Sequence, residues 1–272
     1  MSQPFSEYKA IRALNATSIK AGAESMKAMH WAIAGPGRKE TKALVMGSAF
    51  HLAVLEPGEW ANVLIFSGKS RNSKAYKEMV EANPKALILS EDEHAVIQRA
   101  ADYLTGCPDV QELLAGTDRE VSLTWDDADI GHKCKCRIDA VRGGDEPTVI
   151  ELKSARELGE NCRIFKQQSY KLHYPEQLAF YGRGYRMNYY KPPQIKVLAV
   201  QLEPYPDHSI LPSHPMEMAA MEDKCIRIAR EYLECEKAGF FPGVGNAPYD
   251  VPSWYPGMDE IPDGWTMEEA EV

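Results

Sequence analysis

Two short apolar runs, Cys136-Arg-Ile-Asp139 and Val149-Ile-Glu151-Leu-Lys153, are joined by a turn-forming stretch at 143–147, and no other feature constrains the chain more. Side chains alternate faces along a strand, so Glu151 and Lys153 share one face while Ile150 and Leu152 take the other. A carboxylate and an ammonium on an otherwise apolar strand are costly to bury. They fit either a surface cross-strand ion pair or a working site. Asp139 ends the preceding run, and a tight turn brings it beside Glu151. Two carboxylates and a lysine converging there can hold a divalent metal and position a water.

The surrounding pattern predicts a mixed α/β architecture. Runs at 120–125, 132–141 and 148–153 are separated by turn chemistry at 127–131 and 143–147, which predicts an antiparallel meander. Residues 196–202 (KVLAVQL) read as a buried strand. Ahead of the meander, residues 5–33 read as helical, with Thr17 or Ser18 capping the second half. Helices are also predicted over 41–55, from about 74 to 83, and over 91–104, the last opened by the capping box Ser90-Glu-Asp-Glu93. Residues 63–66 read as a strand. Behind the meander, Pro175 starts one helix and residues 215–238 form another. The 272 residues divide into one domain over 1–249, with a helical part at 1–115 and a catalytic core at 116–240, and an acidic, flexible tail at 250–272.

Charge and composition narrow the partners. The net charge of −9 argues against nucleic acid at first sight, but residues 250–272 alone hold seven acids and no Lys or Arg. The rest is near neutral and can carry a basic groove. No apolar run is long enough to span a membrane, and the N-terminus lacks a signal pattern. The six cysteines show no disulfide-framework spacing, which points to a reducing, cytoplasmic compartment. Cys134 and Cys136, alternating with lysines on a strand, read as small core residues rather than zinc ligands, since no second cysteine pair answers them.

Other residues gain meaning only in company. Glu-x-Lys occurs four times, but only the copy at 151 lies on a strand behind an apolar run. His51 follows Gly47 by one helical turn; it reads as a hydrogen-bonded core histidine or as a metal ligand, with Gly47 allowing close approach. Glu120 opens the first meander strand. Gln177 and Tyr181 share a helix face, either as surface and half-buried groups or as a helix laid across the site. Ser18, Lys20, Arg71, Lys74, Arg137 and Lys166 are candidate phosphate contacts, and Trp31, Tyr76 and Tyr170 candidate stacking aromatics.

Taken in order, Gly47…His51, Glu120, Cys136-Arg-Ile-Asp139, Glu151-Leu-Lys153 and Gln177…Tyr181 resemble the RecB-like branch of the PD-(D/E)XK nucleases. The stretches GSAFHLAVLEPGEW (47–60), KSRNSKAYKEMVEAN (69–83) and His173-Tyr-Pro-Glu-Gln177 look like the RecE-type phage recombination exonucleases, with λ-type exonuclease a more distant relative. The resemblance implies a restriction-endonuclease-like core: a central mixed sheet with an antiparallel meander, flanking helices and an N-terminal helical elaboration. It implies a Mg²⁺-dependent exonuclease (Mn²⁺ substituting) that digests linear double-stranded DNA from 5′ ends and releases mononucleotides. The 3′ single strands would be left for a RecT- or Beta-like annealing protein. By carry-over, His51, Asp139, Glu151 and the Leu152 carbonyl hold metal, Lys153 is the catalytic lysine, and Glu120, Gln177 and Tyr181 support metal, water or DNA. Glu151 stands where many members have Asp. The four-cysteine set of some relatives is absent, so no iron–sulfur cluster is expected. A ring-shaped homo-oligomer, trimeric or tetrameric, and a phage or prophage origin in a bacterial host also follow. The same fold admits an endonuclease or structure-specific nuclease, or a non-catalytic DNA-end-binding module.

Overall fold

A computed structural model describes residues 5–37, 41–68, 70–84 and 86–245. The acidic tail expected at 250–272 lies outside the described residues. The chain opens with α1 (Phe5–Ala10), α2 (Ala16–Glu24) and α3 (Met26–Ala34) in place of one long helix. Asn15, not Thr17 or Ser18, caps α2: its side chain accepts the Ser18 N–H at 3.1 Å, and the Ser18 hydroxyl accepts the Asn15 N–H at 3.0 Å. Three cap-forming residues stand almost side by side here, so composition alone cannot choose among them. Ser25 then ends α2 and caps α3 by accepting the Ala28 N–H.

α4 (Lys42–Leu55) and the short α5 (Pro57–Trp60) lead to β1 (Leu64–Phe66), α6 (Lys74–Ala82), β2 (Ile88–Ser90), α7 (Glu91–Thr105) and α8 (Pro108–Leu114). β1 and β2 pair in parallel as a small separate sheet. The expected meander follows as β3 (Asp118–Asp127), β4 (His132–Arg142) and β5 (Thr148–Ala155). Next come α9 (Arg163–Lys171), α10 (Tyr174–Tyr189), β6 (Gln194–Gln201), β7 (Asp207–Pro212) and α11 (Pro215–Ala238). The main sheet has five strands in the order β3-β4-β5-β6-β7. All its pairs are antiparallel except β5–β6, whose parallel pairing requires the crossover that α9 and α10 supply. β7 was not anticipated from the sequence: it is a half-buried edge strand with no clean alternation.

Each sheet face carries its own apolar core, which makes three layers. Val149, Ile195, Val197 and Ala199 meet α2, α3, α10 and α11 on one face; Ile150, Leu152, Leu198 and Val200 meet α4, α7 and α8 on the other. α10 lies close on the sheet because Gly184 has no side chain: a Cβ there would stand 2.8 Å from both Cys136 Sγ and the Trp125 ring. Overpacking of that kind costs about 1–3 kcal/mol, more than the ~1 kcal/mol that alanine gains over glycine in a helix.

A buried ionic knot fastens α10 and α11 to the β3–β4 turn. Arg183, 2% exposed, donates to both oxygens of Asp127 at 2.6 Å, to Asp129 at 2.7 Å and to Glu222 at 2.7 Å. The Trp125 indole N–H adds a bond to Asp127 at 2.8 Å. Among the described residues no helix is long and apolar enough to cross a membrane.

Candidate active site

The site forms where the sheet comes apart. β4 and β5 pair only through Ala140–Arg142 and Thr148–Ile150; beyond that the ladder opens. Asp139 occupies the opening, and its Oδ2 accepts the Leu152 N–H at 2.8 Å in place of a strand carbonyl. In an extended strand the N–H and C=O of one residue leave by the same edge, so the Leu152 carbonyl is on the opened side too. Glu120 faces this opening from β3 with its backbone in the left-handed region, φ 52°, and the β3–β4 register skips the 120/139 pair. A non-glycine residue held there costs of order 1–3 kcal/mol and turns its side chain out of the strand alternation. Glu120 is ion-paired with Arg137.

α4 delivers His51 from the opposite layer. Val45, Ala49, Phe50 and Ala53 bury one side of the helix, which leaves Gly47 and His51 on the cleft side. His51 Nδ1 stands 3.5 Å from Asp139 Oδ1. His51, Glu120 and Asp139 each bring a ligand atom within 4.8 Å of the others. Contrary to expectation, Gly47 admits no close approach among the described residues: a Cβ there would find only Ser154 Oγ, at 3.7 Å.

Glu151 lies deeper, 1% exposed. Its Oε1 accepts from Lys153 Nζ at 2.5 Å and from Gln177 Nε2 at 2.7 Å. Its Oε2 is buried with no hydrogen-bond partner among the described residues. An orphaned buried carboxylate oxygen is expensive, and a hard cation is the partner such oxygens suit. The donors that the structure groups within 4.8 Å, His51, Glu120 and Asp139, can hold a divalent metal; Glu151, expected as a ligand, lies outside that group and offers its orphaned oxygen from deeper in the site. Gln177 also donates to the Tyr181 hydroxyl at 3.0 Å and accepts from Lys20 at 3.3 Å.

Sequence reasoning gave no role to Tyr174, although it stands in the His173–Gln177 stretch that carried part of the resemblance. Its ring lies under two ammonium groups, Lys153 at 4.7 Å and Lys20 at 4.8 Å from the centroid, so it holds both by cation–π attraction. Of the residues proposed to touch DNA, Lys20 and Arg137 line the cleft, which is open and about 1880 Å³ in volume. Ser18 does not reach it: it is buried, with its hydroxyl committed to the α2 cap, so capping replaces the expected phosphate contact. Arg71 is paired with Glu93 at 2.5 Å, Lys74 with Glu78, and Lys166 with the Asn161 carbonyl. None of these three, nor Trp31, Tyr76 or Tyr170, lines the cleft.

Electrostatics set the protonation. Burial pushes the Glu151 carboxyl up from 4.5 to about 7; the charge of Asp139 adds to this, and Lys153 only partly offsets it. For Asp139, burial pushes upward too, but His51, Lys153 and the Leu152 N–H outweigh it and hold the carboxyl below the ordinary range. Burial lowers His51, and the Asp139 carboxylate more than reverses this, so the imidazole ends raised. Burial likewise opposes the Lys153 ammonium, and Glu151 and Asp139 together keep it raised and charged.

A prediction follows for metal and pH. The raised Glu151 carboxyl favours the metal-free fold below pH 4.5, and that contribution is lost as pH rises through about 7. A cation must displace protons from Glu151 and His51, both raised, so its affinity grows with pH. Thermal melting with and without Mn²⁺ is expected to show a small metal-induced shift at about pH 5.5 and a clearly larger one at about pH 8. Glu151→Gln is expected to flatten that difference; an equal shift at both pH values contradicts the assignment.

Comparison with known proteins matches the fold. Residues 5–249 match the model of a family described as a PDDEXK-like domain of unknown function (DUF3799). The chain belongs to this family. The crystal structure of a protein described as a candidate exonuclease from Eubacterium rectale shares the fold with TM-score 0.66 at 11% identity, over 100% of this chain and 99% of that one. A phage-related exonuclease from Haemophilus somnus 129PT aligns with TM-score 0.34 at 9% identity, over 70% of this chain and 94% of that one. No curated protein matches the sequence. The PDDEXK-like family and its fold agree with the resemblance read from the motifs, and they support a nuclease.

Proposed function

We propose that this PDDEXK-like protein is a Mg²⁺-dependent 5′→3′ exonuclease acting on the ends of linear double-stranded DNA. The observation that carries the reading is the buried Glu151 Oε2, without a hydrogen-bond partner among the described residues, set against Asp139, His51 and the Lys153 ammonium. A divalent cation held by His51, Asp139 and Glu151 supplies charge neutralisation for a phosphodiester and lowers the pKa of a water. The Lys153 ammonium, fixed by Glu151 and the Tyr174 ring, stabilises the negative charge that grows on the phosphoryl oxygens. Gln177 fixes the Glu151 carboxylate from the far side, and Tyr181 fixes Gln177. Lys20 and Arg137 line the approach and suit the DNA backbone. The further elements of the proposal, namely release of mononucleotides, 3′ overhangs passed to a RecT- or Beta-like annealing protein, and a ring of three or four subunits encircling the duplex, rest on the resemblance to RecE-type enzymes.

End-blocked substrates test it. Linear duplexes blocked at their 3′ ends are expected to be digested in Mg²⁺, those blocked at their 5′ ends to be spared, and covalently closed circles to survive. EDTA is expected to stop digestion. Nicked circles would indicate an endonuclease on this fold. Metal binding without turnover on any DNA would indicate an end-binding module.

A further inference from the structure

A second set of metal-type donors lies outside the cleft, where the α7–α8 corner meets the edge strand β7. Cys107, Asp109 and His208 each bring a ligand atom within 4.8 Å of the other two. Cys107 and Asp109 belong to one short turn, since Cys107 precedes α8 and Asp109 is in its first turn. His208 arrives from β7, 99 residues away in sequence from Asp109. None of the three lines the active-site cleft.

The histidine is set in the manner of a ligand. Its Nδ1 lies 3.0 Å from the Tyr103 hydroxyl on α7, and its Nε2 lies 3.0 Å from Asp109 Oδ2. Tyrosine at Nδ1 orients the ring and leaves Nε2 toward the carboxylate, the outer-shell arrangement by which proteins fix a metal-binding imidazole, while the Cys107 thiol donates to the Tyr103 carbonyl at 3.3 Å. The donor atoms stand within 4.8 Å of one another, Nε2 and Oδ2 at 3.0 Å. Bonds of about 2.0–2.3 Å in a tetrahedral zinc site set donor–donor edges of about 3.3–3.7 Å, so small side-chain shifts accommodate an ion. One sulfur, one imidazole nitrogen and one carboxylate oxygen form a borderline-soft set, which selects Zn²⁺ over Mg²⁺.

We propose that Cys107, Asp109 and His208 form an open, three-ligand Zn²⁺ site, with Tyr103 as its orienting partner, that ties β7 to the α7–α8 corner. Three protein ligands leave a fourth position to solvent. The clamp acts at one of the two sheet edges, since β7 is paired on one side only, to β6.

Co²⁺ reports the site directly, because a thiolate ligand gives a sulfur-to-cobalt charge-transfer band in the near ultraviolet. The full chain is titrated with Co²⁺ under excess Mg²⁺; any Co²⁺ that enters the cleft meets no thiolate there and gives no such band. The expected result is a thiolate band that saturates at one equivalent and is displaced by Zn²⁺. Cys107→Ser is expected to abolish the band, His208→Gln to weaken Co²⁺ binding at least tenfold, and Tyr103→Phe to weaken it about tenfold. In excess Mg²⁺, Zn²⁺ is expected to raise the melting temperature of the parent clearly more than that of His208→Gln, whose residual rise comes from the cleft. Metal-free melting and circular dichroism show that the variants fold. No thiolate band in the parent, or a band that persists in folded Cys107→Ser, overturns the proposal.

Discussion

Asp139→Asn is expected to slow DNA hydrolysis by about a thousandfold or more while leaving a folded protein. The carboxylate meets His51 at 3.5 Å on one oxygen and takes the Leu152 N–H at 2.8 Å on the other. Asparagine keeps the shape and can still accept the Leu152 N–H through its amide oxygen, but it removes the negative charge that a cation needs. Loss of one preorganised electrostatic group in a dry site costs about 10²–10³-fold in rate, and loss of the metal itself costs more. Stability of the metal-free fold is expected to fall modestly. The fold holds Asp139 ionised against His51, Lys153 and the Leu152 N–H, and the amide loses that stabilisation, offset in part by relief of its repulsion with Glu151. Melting temperature and single-turnover digestion of the same preparation separate the two effects. A folded Asp139→Asn protein that digests linear DNA at the parent rate would sink the site assignment.

The second large effect concerns stability, remote from chemistry. Arg183→Met is expected to destabilise the protein by about 3–5 kcal/mol, read as a lowered urea midpoint, because removing one partner of a buried ion pair strands the other. Asp127 is the stranded group: its side chain is fully shielded from solvent and takes two bonds from Arg183. Since whole domains are stable by only about 5–15 kcal/mol, a loss of this size is a large fraction of the total. Replacing Asp129, whose side chain is 62% exposed, should cost far less, which distinguishes the buried pair from its surface companion. Equal effects at the two positions would show that the knot is not organised around Asp127.

Much of this architecture was legible in the chain. The meander strands announce themselves because each has an apolar face and is bounded by turn residues, and α11 begins and ends where its Pro215 and Gly239 place it. Asp139, Glu151 and Lys153 stand out because charge on an apolar strand is conspicuous. What was illegible has a common cause, since it depends on contacts between distant segments. The four members of the ionic knot lie on the β3–β4 turn, α10 and α11, and each alone reads as an ordinary surface charge. Tyr174 is one of many tyrosines until two lysines from separate elements are seen against its ring. The left-handed backbone at Glu120 leaves no trace in composition, because glutamate is a poor residue for that conformation. β7 was missed because an edge strand half open to solvent shows no periodicity.

The cleft draws its parts from both sides of the sheet. The acids ride on β4 and β5, the imidazole comes from α4 on one flank, and the amide and phenol come from α10 on the other. The leading third of the polypeptide is therefore no dispensable ornament upstream of a catalytic unit. A fragment trimmed to begin at the meander would retain Asp139, Glu151 and Lys153 yet forfeit His51 and Lys20, so it would be a cation trap missing one wall.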